Sequence, residues 1–249
     1  MPSGSKDLRV AVGAALFVAA LESRADPNDY IRMPTVTQGE REVDFTFGDS
    51  SRGEEVGRAS AVAIGFGYGV TGRWYTELLI QYAREGNSGM KYDTPEWENV
   101  LMLSEPGEWA VDVGLISELE KPRDPAEGWK LRVGTLLQRD FGRVQFNLNL
   151  LARQAIHTRR DHTTWLDYQF QAKYRWRESF EFGLQALSDV GPWDPVSSSA
   201  KQLHRAGPAV FGRWPLTEGR ALSYNAALLL GTTDNSYDHT LRLQVEYEF

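Results

Sequence analysis

From residue 41 to the carboxy terminus, apolar and polar side chains alternate one by one in short stretches separated by turn-forming residues. A period of two is the signature of a β-strand with one apolar and one polar face. Stretches of about ten residues have the length of a strand that crosses a bilayer. The pattern predicts about twelve strands, over 41–48, 56–69, 72–84, 96–103, 109–120, 129–138, 144–150, 166–176, 179–185, 204–214, 222–230 and 238–249. The cleanest is 166–176, where Leu166, Tyr168, Phe170, Ala172, Tyr174 and Trp176 oppose Asp167, Gln169, Gln171, Lys173 and Arg175. In 56–69 the polar face is replaced by Ala59, Ala61, Ala63, Gly65 and Gly67, small residues that let something bulky approach from inside. Two stretches fit less well. In 96–103, Asn99 falls on the same side as Trp97 and Leu101, and 204–214 contains Pro208, which cannot donate to a ladder and ordinarily marks an edge or a bulge. Without the first stretch and the Pro208 stretch the count is ten.

The links carry a second pattern. Counting back from Phe249, alternate links are short (near 70–72, 105–107, 140–142, 177–178 and 216–218), whereas those near 84–92, 121–127, 155–163, 189–202 and 232–237 are longer and more polar. Short turns at one end and long loops at the other are expected of an up-and-down barrel; a soluble sandwich has no reason to sort its links this way. Tryptophans agree with this, since Trp74, Trp109, Trp176 and Trp214 abut short links while Trp97, Trp129 and Trp165 fall near the long-loop ends. Two aromatic girdles at headgroup depth would produce that placement.

Composition and charge remove alternatives. Beyond the first 25 residues there is no apolar run near the ~18 residues of a membrane helix, and the mean hydropathy of −0.43 suits a barrel, in which only alternate residues face lipid. At the amino terminus, Lys6 and Arg9 precede an apolar run over 10–21, and Ser23-Arg24-Ala25 has small residues at the spacing of a signal-peptidase site. The expected organisation is a signal peptide over 1–25, a periplasmic segment over 26–40 and a barrel over 41–249. Cleavage after Ala25 would move the formal net charge from −7 to about −8, an acidic balance that disfavours a nucleic-acid partner. With no cysteine, disulfide staples and thiolate metal sites are ruled out.

The closing strand sets Leu241, Leu243, Val245, Tyr247 and Phe249 against Arg242, Gln244, Glu246 and Glu248. An apolar-out, polar-in final strand ending in an aromatic residue resembles that of the Gram-negative outer-membrane β-barrel (porin-like) superfamily. The resemblance implies an all-β fold, a closed antiparallel up-and-down transmembrane β-barrel in the outer membrane. It also implies outer-membrane lipid around the chain and recognition of Phe249 as an assembly signal by the insertion machinery of that membrane.

Alternation assigns a candidate lumen-lining set: Glu42, Asp44, Glu77, Gln81, Glu98, Asp112, Glu118, Lys130, Arg132, Asn147, Asn149, Arg153, Asp167, Lys173, Arg175, Glu181, Arg205, Arg213, Arg242 and Glu246. Acids dominate the first five strands and bases the sixth to eighth. Opposite walls would then carry opposite potentials, as in a narrow polar channel; the other arrangement is a set of ion pairs that fills a closed barrel. His157, His162, His204 and His239 fall at the long-loop rim, where with Asp161 or Asp238 they could hold a metal or serve an outer-leaflet lipid hydrolase. No Ser stands in a convincing spacing with them, and ordinary polar loops account for them better. No catalytic residue, metal or cofactor is therefore assigned. The expected function is a channel or transporter for small polar or amphipathic solutes, the alternatives being a closed accessory barrel serving a partner complex and the lipid hydrolase. The register also predicts that Leu148→Arg costs ~2–4 kcal/mol and that Asn147→Arg is nearly neutral.

Overall fold

The computed structural model describes residues 26–51, 57–86, 88–158, 162–217 and 219–249. The expected signal peptide over 1–25 lies outside the described residues, as does Asp161. Twelve strands form one closed antiparallel barrel in chain order: β1 (Arg41–Ser51), β2 (Arg58–Thr71), β3 (Trp74–Glu85), β4 (Lys91–Met102), β5 (Asp112–Glu120), β6 (Trp129–Phe141), β7 (Val144–Ile156), β8 (Thr164–Arg177), β9 (Phe180–Pro192), β10 (Leu203–Pro215), β11 (Ala221–Gly231) and β12 (His239–Glu248). Closure joins β1 to β12 in continuous register from Glu42 opposite Glu248 to Ser51 opposite His239. Among the described residues, closure leaves no strand at a sheet edge to pair with another chain or to face an apolar medium.

The faces follow the alternation. Ile64, Phe66, Leu78, Ile80, Leu184, Leu230 and Leu241 lie on the outside and are half exposed or more, whereas Glu77, Glu98, Asn147, Gln171 and Gln185, each 1 % exposed or less, point in. Such a molecule is apolar outside and polar inside, the inverse of a soluble fold. The small inner face of β2 is filled by its neighbour. A side chain at Gly65 would collide with the Glu77 carboxylate, and one at Gly67 with the Tyr75 hydroxyl.

Four sequence expectations need correction. The β4 stretch is longer than 96–103, because the β3/β4 register slips between Gln81 and Tyr82. The extra residue there is Asp93, and such a bulge resets the alternation and hides the first half of the strand from a period-two reading. The residue that broke the pattern, Asn99, is on the outer face and accepts a hydrogen bond from the Trp74 indole (3.1 Å), while the Trp97 indole donates to Thr76 (2.9 Å). Trp97 is thus at mid-strand and not in a girdle. The link between β4 and β5 is not short: it runs over 103–111, with Trp109 in the link and not in a strand. Pro208 neither ends nor bulges its strand. β10 pairs with β9 through Pro208 opposite Leu184, and the missing donor only removes the pairing of Gly207 and Pro208 with β11 while the register continues on either side.

Candidate functional site: a plugged lumen and its cavity

The expected periplasmic segment 26–40 lies inside the barrel instead. It leaves the β1 end of the wall through a turn in which Gly39 N–H donates to Gly69 O (2.8 Å) and Gly69 N–H donates to Glu40 O (2.9 Å). Gly39 has φ 80°, the left-handed conformation that glycine adopts without strain. From there the segment fills the lumen back to Asp26. Two wall glycines admit it: a side chain at Gly48 would overlap Pro27, and one at Gly69 would overlap Thr37.

Each contact of this plug answers to a wall residue that alternation had turned inward. Arg32 is the central one. Its guanidinium forms ion pairs with Glu77, with Glu98 (2.6 Å) and with Glu42 (3.6 Å), and stands about 5 Å from the ring centres of Tyr30 and Tyr75. The Tyr30 hydroxyl donates to Glu98 (3.1 Å), the Tyr75 hydroxyl to Glu42 and Glu77, and Asn149 donates to the Arg32 carbonyl (3.1 Å). Three carboxylates without this cation would be buried and uncompensated, a cost of several kcal/mol. Further along, Asn28 donates to Thr46 and Gln81 (both 3.1 Å), and Arg132 bridges Asp29 (3.2 Å) and Glu118. Burial pushes the Asp29 carboxyl up, but the Arg132 guanidinium, with Arg242 and Arg205 beyond it, holds it below the usual carboxylate range. At the turn, burial beside Glu42 and Glu248 raises Glu40 to about 7.

Apolar contacts complete the seat. Ile31 packs against Leu187, Ala209, Phe211, Ala227 and Leu229 on β9–β11, and Val36 against Tyr75, Val100, Ile116, Leu136 and Leu151 on β3–β7. These inward apolar residues were missed in the sequence because they interrupt the polar phase of strands whose outer face is unambiguous.

The structure places the whole candidate lumen set on the inner parity of its strands, but it does not leave the charges facing an open bore. Lys130 pairs with Glu120 (3.7 Å), Arg153 with Asp167 (3.0 Å) and Asp189, Lys173 with Glu181 (2.9 Å), Arg175 with Asp140 (2.9 Å), and Arg213 with Glu248. The expected transverse field is therefore largely neutralised between strands one or two apart, and the filled arrangement describes this half of the barrel. Asp112 accepts from Gly107 N–H (2.7 Å) at the 103–111 link. Between them runs an amide relay: Asn147 donates to Gln138 (3.0 Å), Asn149 to Gln169 (2.9 Å), Gln185 to Gln171 (2.6 Å) and Arg242 to Gln185 (2.9 Å). Arg205 reaches Thr240 (3.3 Å) and the Asp26 carbonyl (3.4 Å).

Beside the plug, toward the short-turn end, a cavity of about 440 Å³ remains. Ile31, Arg32, Met33, Thr35 and Thr37 of the plug form one side, and β8–β12 with Glu42 and Tyr75 the other.

The rim histidines do not converge among the described residues. His239 bonds Ser51 (2.7 Å), His162 bonds the Ala155 carbonyl (3.2 Å), and His204 bonds Tyr168 (3.2 Å) and Gln202 (2.7 Å). Among the described residues, the group with carboxylates close enough to share an ion is Glu96, Glu98 and Glu118, within 4.8 Å of one another. Arg32 and Arg132 already occupy two of the three.

Phe249 closes the chain on the outer face, its N–H donating to Arg41 O (2.9 Å) and its ring resting against Phe66 and Tyr247.

No protein-family model matches the sequence, and no curated protein does either. Solved structures do match the fold. The chain superposes on an outer membrane channel from Pseudomonas putida F1 with a TM-score of 0.57 and 13% identity, over 91% of this chain and 100% of that one. It superposes on the NanC porin with a TM-score of 0.53 and 10% identity, over 84% and 98%. At these identities the likeness is one of fold, a closed antiparallel β-barrel that this chain shares with those two outer-membrane proteins.

Proposed function

We propose that this protein is a gated outer-membrane channel of Gram-negative bacteria for small polar or amphipathic solutes, with residues 26–40 as its gate. The observation that carries the reading is the kind of contact that holds the plug. Its main anchors, Arg32 and Asp29, are ionic contacts to inward side chains of a wall that is already complete without them. A barrel with no need to open could fill its lumen with wall side chains alone. Here the wall carries glycines at 48 and 69 where the separate segment lies against it.

In this reading the chain is exported by a signal peptide over 1–25, is inserted by machinery that reads Phe249, and passes solutes along the inner face that carries Glu42, Asp44, Glu77, Lys173, Arg213 and Glu246. The two-residue alternation that turns apolar side chains outward supports the lipid environment. The test is conductance of the purified protein in planar bilayers, with solute uptake into liposomes. Discrete openings in the wild type that become frequent in Arg32→Ala are expected. A folded sample of both forms with neither conductance nor uptake would remove the channel.

A further inference from the structure

We infer that the 440 Å³ cavity between the plug and β8–β12 is a binding site for an organic cation with an apolar body, such as a primary ammonium compound. This rests on the channel reading and names the class of solute that would dwell there.

The cavity lining pairs its bases and leaves an acid without a partner. Of the bases that line the cavity, Lys173 is held by Glu181 (2.9 Å), Arg213 by Glu248, and Arg32 by three carboxylates at once. The bases are therefore spent. The acids are not. Glu246 faces the cavity and has no ion pair or hydrogen bond among the described residues. Asp44 lies directly across from it in the β1/β12 register, on the same inner face. Asp44 is 1 % exposed, one of its oxygens accepts from the cavity-lining Gln244 (2.9 Å), and the other, Oδ1, has no hydrogen-bond partner. A buried carboxylate oxygen left without a donor is costly, and a donor brought by a ligand removes that cost.

The rest of the cavity sets the ligand's shape. Phe211 and Ile31 supply apolar surface in the same lining as Glu246, and the Phe211 ring already faces the Lys173 ammonium at 5.5 Å, so it can receive a positive group as well as an apolar one. An ammonium with one apolar substituent satisfies both sides. An anion would meet Glu246 and Glu42, with Asp44 just behind Gln244, while the bases of the lining are already engaged. Because Glu42 also holds Arg32 (3.6 Å), an ammonium that docks here competes with the gate for one of its own carboxylates.

The experiment uses three probes with one body and different charge: benzylammonium, benzyl alcohol and benzoate, titrated calorimetrically into the detergent-purified protein at about 0.1 M salt. Benzylammonium is expected to bind at least about tenfold more tightly than either of the others. Glu246→Gln and Asp44→Asn should each weaken benzylammonium several-fold and leave benzyl alcohol unchanged. Benzoate or benzyl alcohol binding as well as benzylammonium would overturn the assignment, as would wild-type affinity for benzylammonium in both variants. If a variant fails to fold, the comparison of probes on the wild type decides alone. Bilayer conductance separates the two readings: selective binding without conductance would keep the site and remove the channel, and conductance without selectivity for benzylammonium would do the reverse.

Discussion

The two halves of the inner wall treat the plug differently. On β1–β6 ion pairs are added to the apolar seat of Val36, Arg32 being held by Glu42, Glu77 and Glu98 and Asp29 by Arg132. On β9–β11 it is met by an apolar patch around Ile31, with the cavity alongside. Ion pairs are directional and depend on the state of each partner, whereas apolar packing is neither. The first wall therefore decides whether the plug is seated, and the second supplies the space a solute can use. Segregation of acids and bases along the chain, which alone suggests a field across an open pore, is here the complement of a segment that has its own charges.

That contrast can be broken from either side. The largest effect is expected at Arg32→Ala. It leaves three buried carboxylates without their cation and should cost plug docking about 3–5 kcal/mol, read as loss of amide hydrogen-exchange protection over 28–36 and a rise in open-channel events. Unchanged protection would mean that the ionic wall does not hold the gate. Leu148→Arg, on the outer face of β7, should cost ~2–4 kcal/mol of barrel stability. Asn147→Arg now carries a different expectation from the nearly neutral one. Asn147 is 1 % exposed and donates to Gln138, so overpacking should cost ~1–3 kcal/mol; the two changes remain separable because only Leu148→Arg should block membrane insertion. Ile31→Ala, on the apolar wall, should weaken docking by about 2 kcal/mol, with more openings than wild type and fewer than Arg32→Ala. If it opens the channel as fully as Arg32→Ala, the division of labour between the walls is wrong.

The smallest effect is one of pH. Glu40 has its carboxyl raised to about 7 in the docked turn by burial beside Glu42 and Glu248. An acid with a raised value binds its proton more tightly when docked than when released, so docking is strongest below the ordinary carboxylate range and weakens as pH climbs toward 7. Opening should rise modestly between pH 5 and pH 8, and Glu40→Gln should flatten the dependence. A wild-type channel that opens more at pH 5 would contradict the sign.

How much of this was legible in the sequence follows from what repeats. Strand periodicity recurs twelve times, so the barrel, its faces and the sorting of links could be read even where Asp93 or Pro208 disturbed a single strand. The plug has no repeat. Residues 26–40 alternate only over the triplets 31–33 and 35–37, and their partners, such as Glu98 for Tyr30 and Arg132 for Asp29, are far away in the chain. One signal was available: the inward positions assigned to the first five strands carry acids and no base, and Arg32 lies just ahead of them. The cavity could not have been read, because it is the space left when Lys173 and Arg213 turn to Glu181 and Glu248.

Gly39 joins the plug covalently to the first strand. The gate is thus a tethered ligand whose effective concentration at its own site is fixed by a linker of a few residues and does not fall when the protein is diluted. Reclosing would be a unimolecular event with the same rate in a crowded membrane patch and in a single isolated barrel. A soluble blocker would have to outcompete that built-in occupant before its own affinity could be observed.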